Sequence, residues 1–253
     1  MEFAGKVAFV TGGSRGVGRA AALALAQRGA DVAFLYRSRE DEAQGSADAI
    51  AAEGRRALPI RADLAIAAAV AAAVDRAAGE LGGIDVLVAA AGSLFAWRHV
   101  AELPVAEWDA GVAVDLSGTF YLLRAAIPHL RARRGTIVAV SSIAAQMCQA
   151  RNVQGAATKA AVEAMVRVVA KEEARHGIRA NVVAIGLTDT DMGRDAFARW
   201  GEAATERVIK GIPLGRIGTP EEIAGVICFL AGPAAGYVTG KVLQVDGGQI
   251  IAA

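Results

Sequence analysis

Short runs of apolar residues alternate along this chain with longer, alanine-rich stretches in which apolar positions recur at helical spacing. The short runs are typical of buried strands, and the stretches between them predict helices. The predicted strands are 7–10, 32–35, 57–60, 84–89, 136–140, 180–184 and 242–245. Such alternation predicts right-handed crossovers and a seven-stranded parallel sheet covered on both faces. We therefore expect a single α/β domain over 1–253, Rossmann-like and doubly wound.

Composition narrows the classes of function. The chain has 253 residues, enough for one large core, and its net charge of +1 argues against a nucleic-acid partner. No run of 18 apolar residues predicts a membrane span, and the first residues lack a signal-peptide layout, so we expect a cytoplasmic protein. Cys148 and Cys228 have neither metal-binding nor disulfide spacing, and we expect no metal site.

A glycine-rich segment, TGGSRGVG at 11–18, follows the first strand and precedes a helix. Gly12 permits a sharp turn, and the later glycines let backbone approach a pyrophosphate at the start of the helix. This context predicts dinucleotide binding, the alternative being a purely structural turn. The predicted contacts are Gly12, Ser14, Arg15, Gly16, Val17 and Gly18.

The end of the second strand bears on the choice of cofactor. An acidic residue there would hold the ribose hydroxyls of NAD, but this chain has Tyr36 followed by Arg37 and Ser38. A guanidinium group binds a phosphate through two parallel hydrogen bonds, and Arg15 supplies a second cation. The pattern favours NADP(H) over NAD(H), unless Arg37 and Arg39 are only solvated surface charges.

These motifs resemble the classical short-chain dehydrogenase/reductase family, especially its branch similar to β-ketoacyl-carrier-protein reductase. The resemblance extends over nearly the whole chain. It implies cofactor contacts from Asp63, Leu64, Ala90, Gly92, Lys159, Gly186, Thr188 and Thr190. It also implies that Ser142 donates a hydrogen bond to a substrate carbonyl and that Lys159 holds the nicotinamide ribose. The family further implies a homotetramer or homodimer, formed through the helices around Tyr121 and Lys159 and the last strand.

Four positions depart from the family pattern. Gly155 stands where the family has its catalytic tyrosine, and Asp115 stands where it usually has an asparagine. Ala89 and Ala90 replace an Asn-Asn pair, and Ile185 replaces a proline. The three tyrosines of the chain lie elsewhere, at 36, 121 and 237. Because glycine has no side chain, we expect a gap the size of a phenol beside the nicotinamide.

Three hypotheses follow from the missing phenol, because a hydride arriving at a carbonyl requires a proton and stabilisation of the developing charge. In the first, a ketoreductase-like enzyme reduces a small or polycyclic carbonyl or quinone-type compound. Its proton comes from Asp115 through water and Lys159, from Ser142, or from an acidic hydroxyl of the substrate. In the second, a dehydratase, cyclase or isomerase uses Asp115 or Lys159 as its base. In the third, the chain is a catalytically silent cofactor-binding subunit.

Several residues have both a functional and a structural interpretation. Asp115 either belongs to a proton path or forms a structural ion pair with Lys159. Arg151 either recognises an acidic substrate or is an exposed cation. The aromatic residues Phe197 and Trp200, in a segment resembling the substrate lid of the family, contact either substrate or one another.

Overall fold

A seven-stranded, wholly parallel sheet in the order β3-β2-β1-β4-β5-β6-β7 forms the centre of the molecule. The computed structural model describes residues 1–93, 95 and 97–251. Its strands are β1 Val7–Thr11, β2 Asp31–Tyr36, β3 Ala57–Arg61, β4 Val86–Ala89, β5 Thr136–Ser142, β6 Arg179–Ile185 and β7 Val242–Val245. The predicted strands and fold class are confirmed, with ends that differ by one or two residues.

Helices connect the strands on both faces of the sheet. They are α1 Gly16–Gln27, α2 Glu40–Ala52, α3 Ala67–Leu81, α4 Val105–Gly111, α5 Gly118–Arg133, α6 Ala144–Met147, α7 Val153–Glu173, α8 Asp191–Trp200, α9 Glu202–Lys210 and α10 Pro220–Ala231. A wider π-helical turn, Val112–Ser117, joins α4 to α5 without interrupting the helix.

Two apolar cores lie on opposite faces of the sheet, because alternate side chains of a strand point in opposite directions. In β1, Phe9 packs with residues of α3, α5 and α7, whereas Ala8 and Val10 pack with α1, α2 and α10. The central strands are buried on both sides, which explains why they are almost continuously apolar in sequence.

The helical stretch Val105–Arg133 meets the length and composition of a membrane span, with a mean hydropathy of 1.3 over 18 residues. A search for 18 consecutive apolar residues does not find this stretch, because polar residues are scattered through it. Leu122, Ala126 and Leu130 of this stretch are buried in the core beside α3 and α7. The stretch is therefore a core helix of the domain.

Buried carboxylates of α7 fix this helix against its neighbours. Glu163 accepts a hydrogen bond from Ser141 Oγ of β5 at 2.9 Å. Glu173 accepts two from Arg131 of α5, at 2.7 and 2.6 Å, and these hydrogen bonds lower the pKa of its carboxyl group. Since α7 also carries Lys159, these ties set the position of the lysine relative to the end of β5.

The amino terminus of α10 carries a complete capping box. Thr219 Oγ1 accepts from the backbone of Glu222 at 3.2 Å, and the Glu222 carboxylate accepts from the backbone of Thr219 at 2.9 Å. Hydrogen bonds from Arg216, together with that from the Thr219 backbone, lower the pKa of Glu222 to about 2. This box orients α10, which packs against α1.

Replacing Glu222 by Gln should lower the free energy of unfolding at neutral pH. A carboxyl group whose folded pKa is about 2, against 4.5 unperturbed, stabilises the fold above the unperturbed value. That contribution declines as the pH falls from 4.5 towards 2, so the difference between variant and wild type should shrink over this interval. Urea unfolding at several pH values between 7 and 2 measures the difference in free energy of unfolding between Glu222→Gln and the wild type. Glu221→Gln is the control, because Glu221 lies outside the capping box. A difference that stays constant or grows on acidification contradicts the prediction.

Candidate active site

The glycine-rich segment forms a tight turn between β1 and α1. Gly12 and Gly16 adopt left-handed backbone angles, with φ of 72° and 52°. Gly18 lies so close beneath the turn that a methyl group there would overlap the carbonyl oxygen of Gly12. The start of α1, including the buried Val17, therefore packs directly on the turn and leaves its first amide groups at the sheet edge.

Other predicted cofactor contacts lie in loops that meet this turn. Thr11 Oγ1 accepts hydrogen bonds from the backbone of Ala90 at 3.0 Å and of Ala91 at 3.1 Å, which joins the ends of β1 and β4. Ser14 is buried, and its carbonyl accepts from Ser46 Oγ at 3.2 Å. The structure thus brings these predicted contacts to one edge of the sheet.

The predicted adenine contacts lie after β3. Asp63 accepts a hydrogen bond from the backbone of Ala65 at 2.9 Å, which shapes its own turn. Leu64 packs so closely on the start of α5 that a Cβ built on Gly118 would lie 2.9 Å from Leu64 Cβ. Both residues remain half-buried.

The loop after β6 covers the glycine turn from the other side. A Cβ on Gly16 would lie 3.3 Å from Thr190 Cγ2, so the two loops are in contact. Thr190 Oγ1 caps α8 by accepting from the Gly193 backbone at 3.1 Å, and Thr188 Oγ1 donates to the Gly186 carbonyl at 3.1 Å. Gly186 itself packs against the backbone of Asp246.

Exposed cations lie around the end of β2, and they include the pair that the sequence indicated, Arg37 and Arg15. Arg37 and Ser38 are exposed there, and the Arg37 carbonyl accepts from Arg61 Nε at 3.2 Å. Arg15 and Arg39 both face Asp191, with nitrogen–oxygen distances of 3.7 and 4.0 Å. The structure therefore adds Arg39 to the cationic group.

A buried ion pair lies beyond the end of β4. Asp115 is fully buried in the π turn, and its Oδ1 lies 3.1 Å from Lys159 Nζ, though not aligned as a hydrogen bond. Asp115 Oδ2 accepts from the Ser93 backbone at 3.0 Å. A Cβ on Gly92 would lie 3.1 Å from Asp115 Oδ1 and 3.4 Å from Lys159 Nζ. The ion pair that the sequence left open is thus present, directly beside Gly92.

Ser142 is the last residue of β5, and its side chain is half-buried. Its Oγ accepts a hydrogen bond from the Ala144 backbone at 3.2 Å. The hydroxyl proton is not used in that bond and remains available to an acceptor.

The position that a Cβ atom of residue 155 would take is occupied by a neighbouring side chain. Gly155 is buried in the first turn of α7, and a Cβ built on it would lie 2.5 Å from Asn152 Oδ1. Asn152 is itself buried, and its Oδ1 has no hydrogen-bond partner among the described residues. The carboxamide of Asn152 therefore packs against Gly155.

Sequence reasoning did not single out Asn152 from the other residues between Ser142 and Gly155. It holds the cap position of α7, where an asparagine side chain ordinarily accepts a hydrogen bond from the helix backbone, yet its side chain makes none. The available signal was an asparagine placed just before a helix that lacks the expected tyrosine. The sequence does not indicate that this side chain packs against Gly155 and not on the helix backbone.

A cavity of about 500 Å³ lies beside the segment between Ser142 and Gly155. It is lined by Trp97, Arg98, Gln149, Ala150, Arg151, Arg199, Trp200 and Val208. The rings of Trp97 and Trp200 meet edge to face with centroids 5.2 Å apart, and Phe197 meets Trp200 at 5.8 Å. His99 Nε2 lies 3.0 Å from Arg151 Nε.

Comparison with known proteins identifies the family of this chain. A family model described as Enoyl-(Acyl carrier protein) reductase matches residues 12–249. The chain belongs to the short-chain dehydrogenase/reductase family. The match confirms the family resemblance seen in the sequence.

Relatives of this short-chain dehydrogenase/reductase align with nearly its full length. A cis-4-hydroxycyclohexanecarboxylate dehydrogenase of Sinomonas cyclohexanicum is 42% identical over 97% of each chain. A 3-oxoacyl-[acyl-carrier-protein] reductase of Synechocystis is 36% identical over 97% of each. The crystal structure of a short chain dehydrogenase from Burkholderia cenocepacia in complex with NADP has a TM-score of 0.92 and 36% identity, covering 98% of this chain and 99% of that one.

Replacing Gly18 by Ala should weaken NADPH binding about tenfold, a loss of about 1.4 kcal/mol. The added methyl group displaces α1 from the Gly12 turn and so moves the amide groups that face the pyrophosphate. Gly79→Ala in α3 is the matched control, because a Cβ there meets nothing within 4 Å.

Titration of NADPH fluorescence measures the affinity, and circular dichroism verifies that both variants are folded. A folded Gly18→Ala protein that binds NADPH as tightly as the wild type would show that the dinucleotide does not rest on this turn.

Proposed function

We propose that this protein is an NADP(H)-dependent oxidoreductase that interconverts a ketone and an alcohol on a small or polycyclic ring compound, quinone-type compounds included, without a tyrosine as acid. The observation that carries the proposal is the buried Asp115–Lys159 pair beside Gly92, at the sheet edge where the glycine turn lies. Ligands of open parallel sheets bind at this edge.

The residues at the edge fit a phosphorylated dinucleotide. Gly12 and Gly16 adopt left-handed backbone angles, and glycine there lets the backbone at the start of α1 come close to a pyrophosphate. No acidic residue ends β2, while the guanidinium groups of Arg15, Arg37 and Arg39 are exposed around it and suit a 2′-phosphate. The NADP complex of the Burkholderia relative supports this choice. When bound, the nicotinamide supplies or accepts the hydride.

The remaining task of the chain is to stabilise charge on the substrate oxygen and to deliver a proton. The Ser142 hydroxyl and the Asn152 amide are hydrogen-bond donors for that oxygen. The Lys159 ammonium group has three N–H donors, and Asp115 holds it in place. We propose that the proton comes from Lys159, directly or through water, because a carboxamide is not a proton donor and Asp115 lies against this lysine.

A ring substrate is supported by the relatives as well as by the chemistry. The Sinomonas relative is named for a substrate with a hydroxyl group on a cyclohexane ring. A quinone-type substrate forms a stabilised phenolate on reduction and needs less help from an acid. A simple acyl chain has no acidic group of its own and fits this site less well.

The arrangement favours this redox reaction over a non-redox one. In a dehydratase, cyclase or isomerase, Asp115 or Lys159 would act as the base, yet each is paired with the other. A silent subunit would keep the same pair for stability, so the turnover test below distinguishes it. We further propose a cytoplasmic homotetramer or homodimer of the single domain 1–253. Exposed apolar side chains on α5 and α7, Phe120 and Val168, support such contacts.

The function is tested by following nicotinamide absorbance with NADPH and a panel of cyclic ketones and quinones. The double variant Lys159→Met, Asp115→Asn removes both charges together and so avoids an unpaired buried carboxylate. We expect it to remain folded and to bind NADPH more weakly, because the lysine contact to the ribose is lost. At saturating NADPH it should lose activity by about 10²–10³-fold. If the wild type converts substrate without any change in nicotinamide absorbance, the result would support the non-redox enzyme. If the wild type binds NADPH but turns over no compound of the panel, the result would support the silent subunit.

Restoring the phenol should create ordinary ketone reduction, but only when space is made for it. Gly155→Tyr alone places its Cβ against Asn152, so we expect little gain from that single change. The double variant Asn152→Ala, Gly155→Tyr should reduce a simple acyclic ketone about 10²-fold faster than the wild type, since a positioned general acid contributes that much.

The measurement is kcat/KM for NADPH oxidation, with Asn152→Ala alone as the control. A gain of activity cannot arise from misfolding. No gain in the folded double variant, or an equal gain in Asn152→Ala, would contradict the assignment of position 155.

A further inference from the structure

We propose that the cavity between Trp97, Trp200 and three arginines binds the carboxylate of the substrate, so that this oxidoreductase acts on ring compounds that carry a carboxylic acid. The inference deepens the proposed function and rests on it for the position of the reacting carbon. It rests on the charge, the aromatic wall and the location of this cavity.

The lining of the cavity is cationic. Arg98, Arg151 and Arg199 all contribute, and among the described residues no acidic side chain belongs to the lining. The whole chain carries a net charge of only +1, so this is a local excess of positive charge. Guanidinium groups bind carboxylates through paired hydrogen bonds, which makes them suited to a planar acid.

Two of the three cations lack an acidic partner in the part of the chain that the structure describes. Arg98 lies 3.4 Å from Glu107 across an exposed contact. Arg151 uses its Nε atom towards His99, and neither Arg151 nor Arg199 has a carboxylate within 4.0 Å among the described residues. Their terminal nitrogens are therefore available to an anion.

Aromatic residues also line the cavity. Trp97 and Trp200 meet edge to face, and the ring centroid of Phe197 lies 5.8 Å from that of Trp200. The sequence interpretation left open whether these lid residues contact substrate or one another. In the structure they contact one another, and Trp97 and Trp200 also line the cavity. Such a wall packs on the flat or puckered face of a ring while the arginines hold its acid group.

The cavity adjoins the reaction centre through a single short segment. The Arg98 backbone donates to the Arg151 carbonyl at 3.0 Å and forms a parallel bridge with Asn152. Asn152 in turn packs against Gly155, and Gly155 lies one helical turn before Lys159 in α7. A ring held by Arg151 therefore lies next to the carboxamide and lysine that face its carbonyl. A volume of about 500 Å³ accommodates one or two fused rings.

The test compares an acid with its neutral analogue. The probes are 4-oxocyclohexanecarboxylate and 4-oxocyclohexanecarboxamide, titrated into the protein saturated with NADP⁺ and followed by tryptophan fluorescence. We expect the wild type to bind the acid about tenfold more tightly than the amide, and less so at high salt. The double variant Arg151→Gln, Arg199→Gln should bind the two alike.

Arg207→Gln is the matched control, because Arg207 is an exposed arginine of α9 outside the lining. It should keep the preference for the acid. The inference is overturned if the wild type binds acid and amide equally, if it binds neither, or if Arg207→Gln removes the preference as the double variant does.

Activity with NADPH separates this inference from the proposed function. Selective, arginine-dependent binding of the acid without NADPH oxidation would uphold the carboxylate site and reject the proposed redox reaction. Oxidation of NADPH with the acid and the amide at equal kcat/KM would uphold the reaction and reject the carboxylate site.

Discussion

The buried contact between Asp115 and Lys159 is the constraint on which the active-site region depends. A charge removed from water is tolerated only when a partner compensates it, and removing one partner of such a pair costs about 3–5 kcal/mol. Asp115 is fully buried, and its second oxygen holds the backbone of Ser93. The pair thus joins the loop after β4, the π turn and α7, which come from distant parts of the sequence.

The fold was predictable because it depends on patterns that are local in sequence. Apolar runs marked all seven strands, and the glycines marked the turn where backbone comes close to backbone. The contacts that long side chains make were less predictable. Arg39 joins Arg15 opposite Asp191 because the chain turns after β2, and no spacing in the sequence indicates that direction.

The surroundings of Gly155 were difficult to predict for a similar reason. A missing side chain predicts a gap only if nothing else moves in, and protein interiors are close-packed. Asn152 lies only three residues away, but its side chain leaves the helix cap to pack against Gly155. A carboxamide donates and accepts hydrogen bonds at every physiological pH without exchanging a proton. Charge stabilisation and proton delivery, which a phenol performs together, are thereby assigned to different groups.

The π turn Val112–Ser117 has a consequence for how this helix can change over evolution. A π turn contains one more residue than an α turn, and such turns are often found at functional sites. Loss of a single residue would regularise the helix and change the direction in which residues of the turn itself point. Asp115, which lies within the turn, would then point away from Lys159. Substitutions along α4 and α5 are therefore easier to accept than any change in the length of this segment.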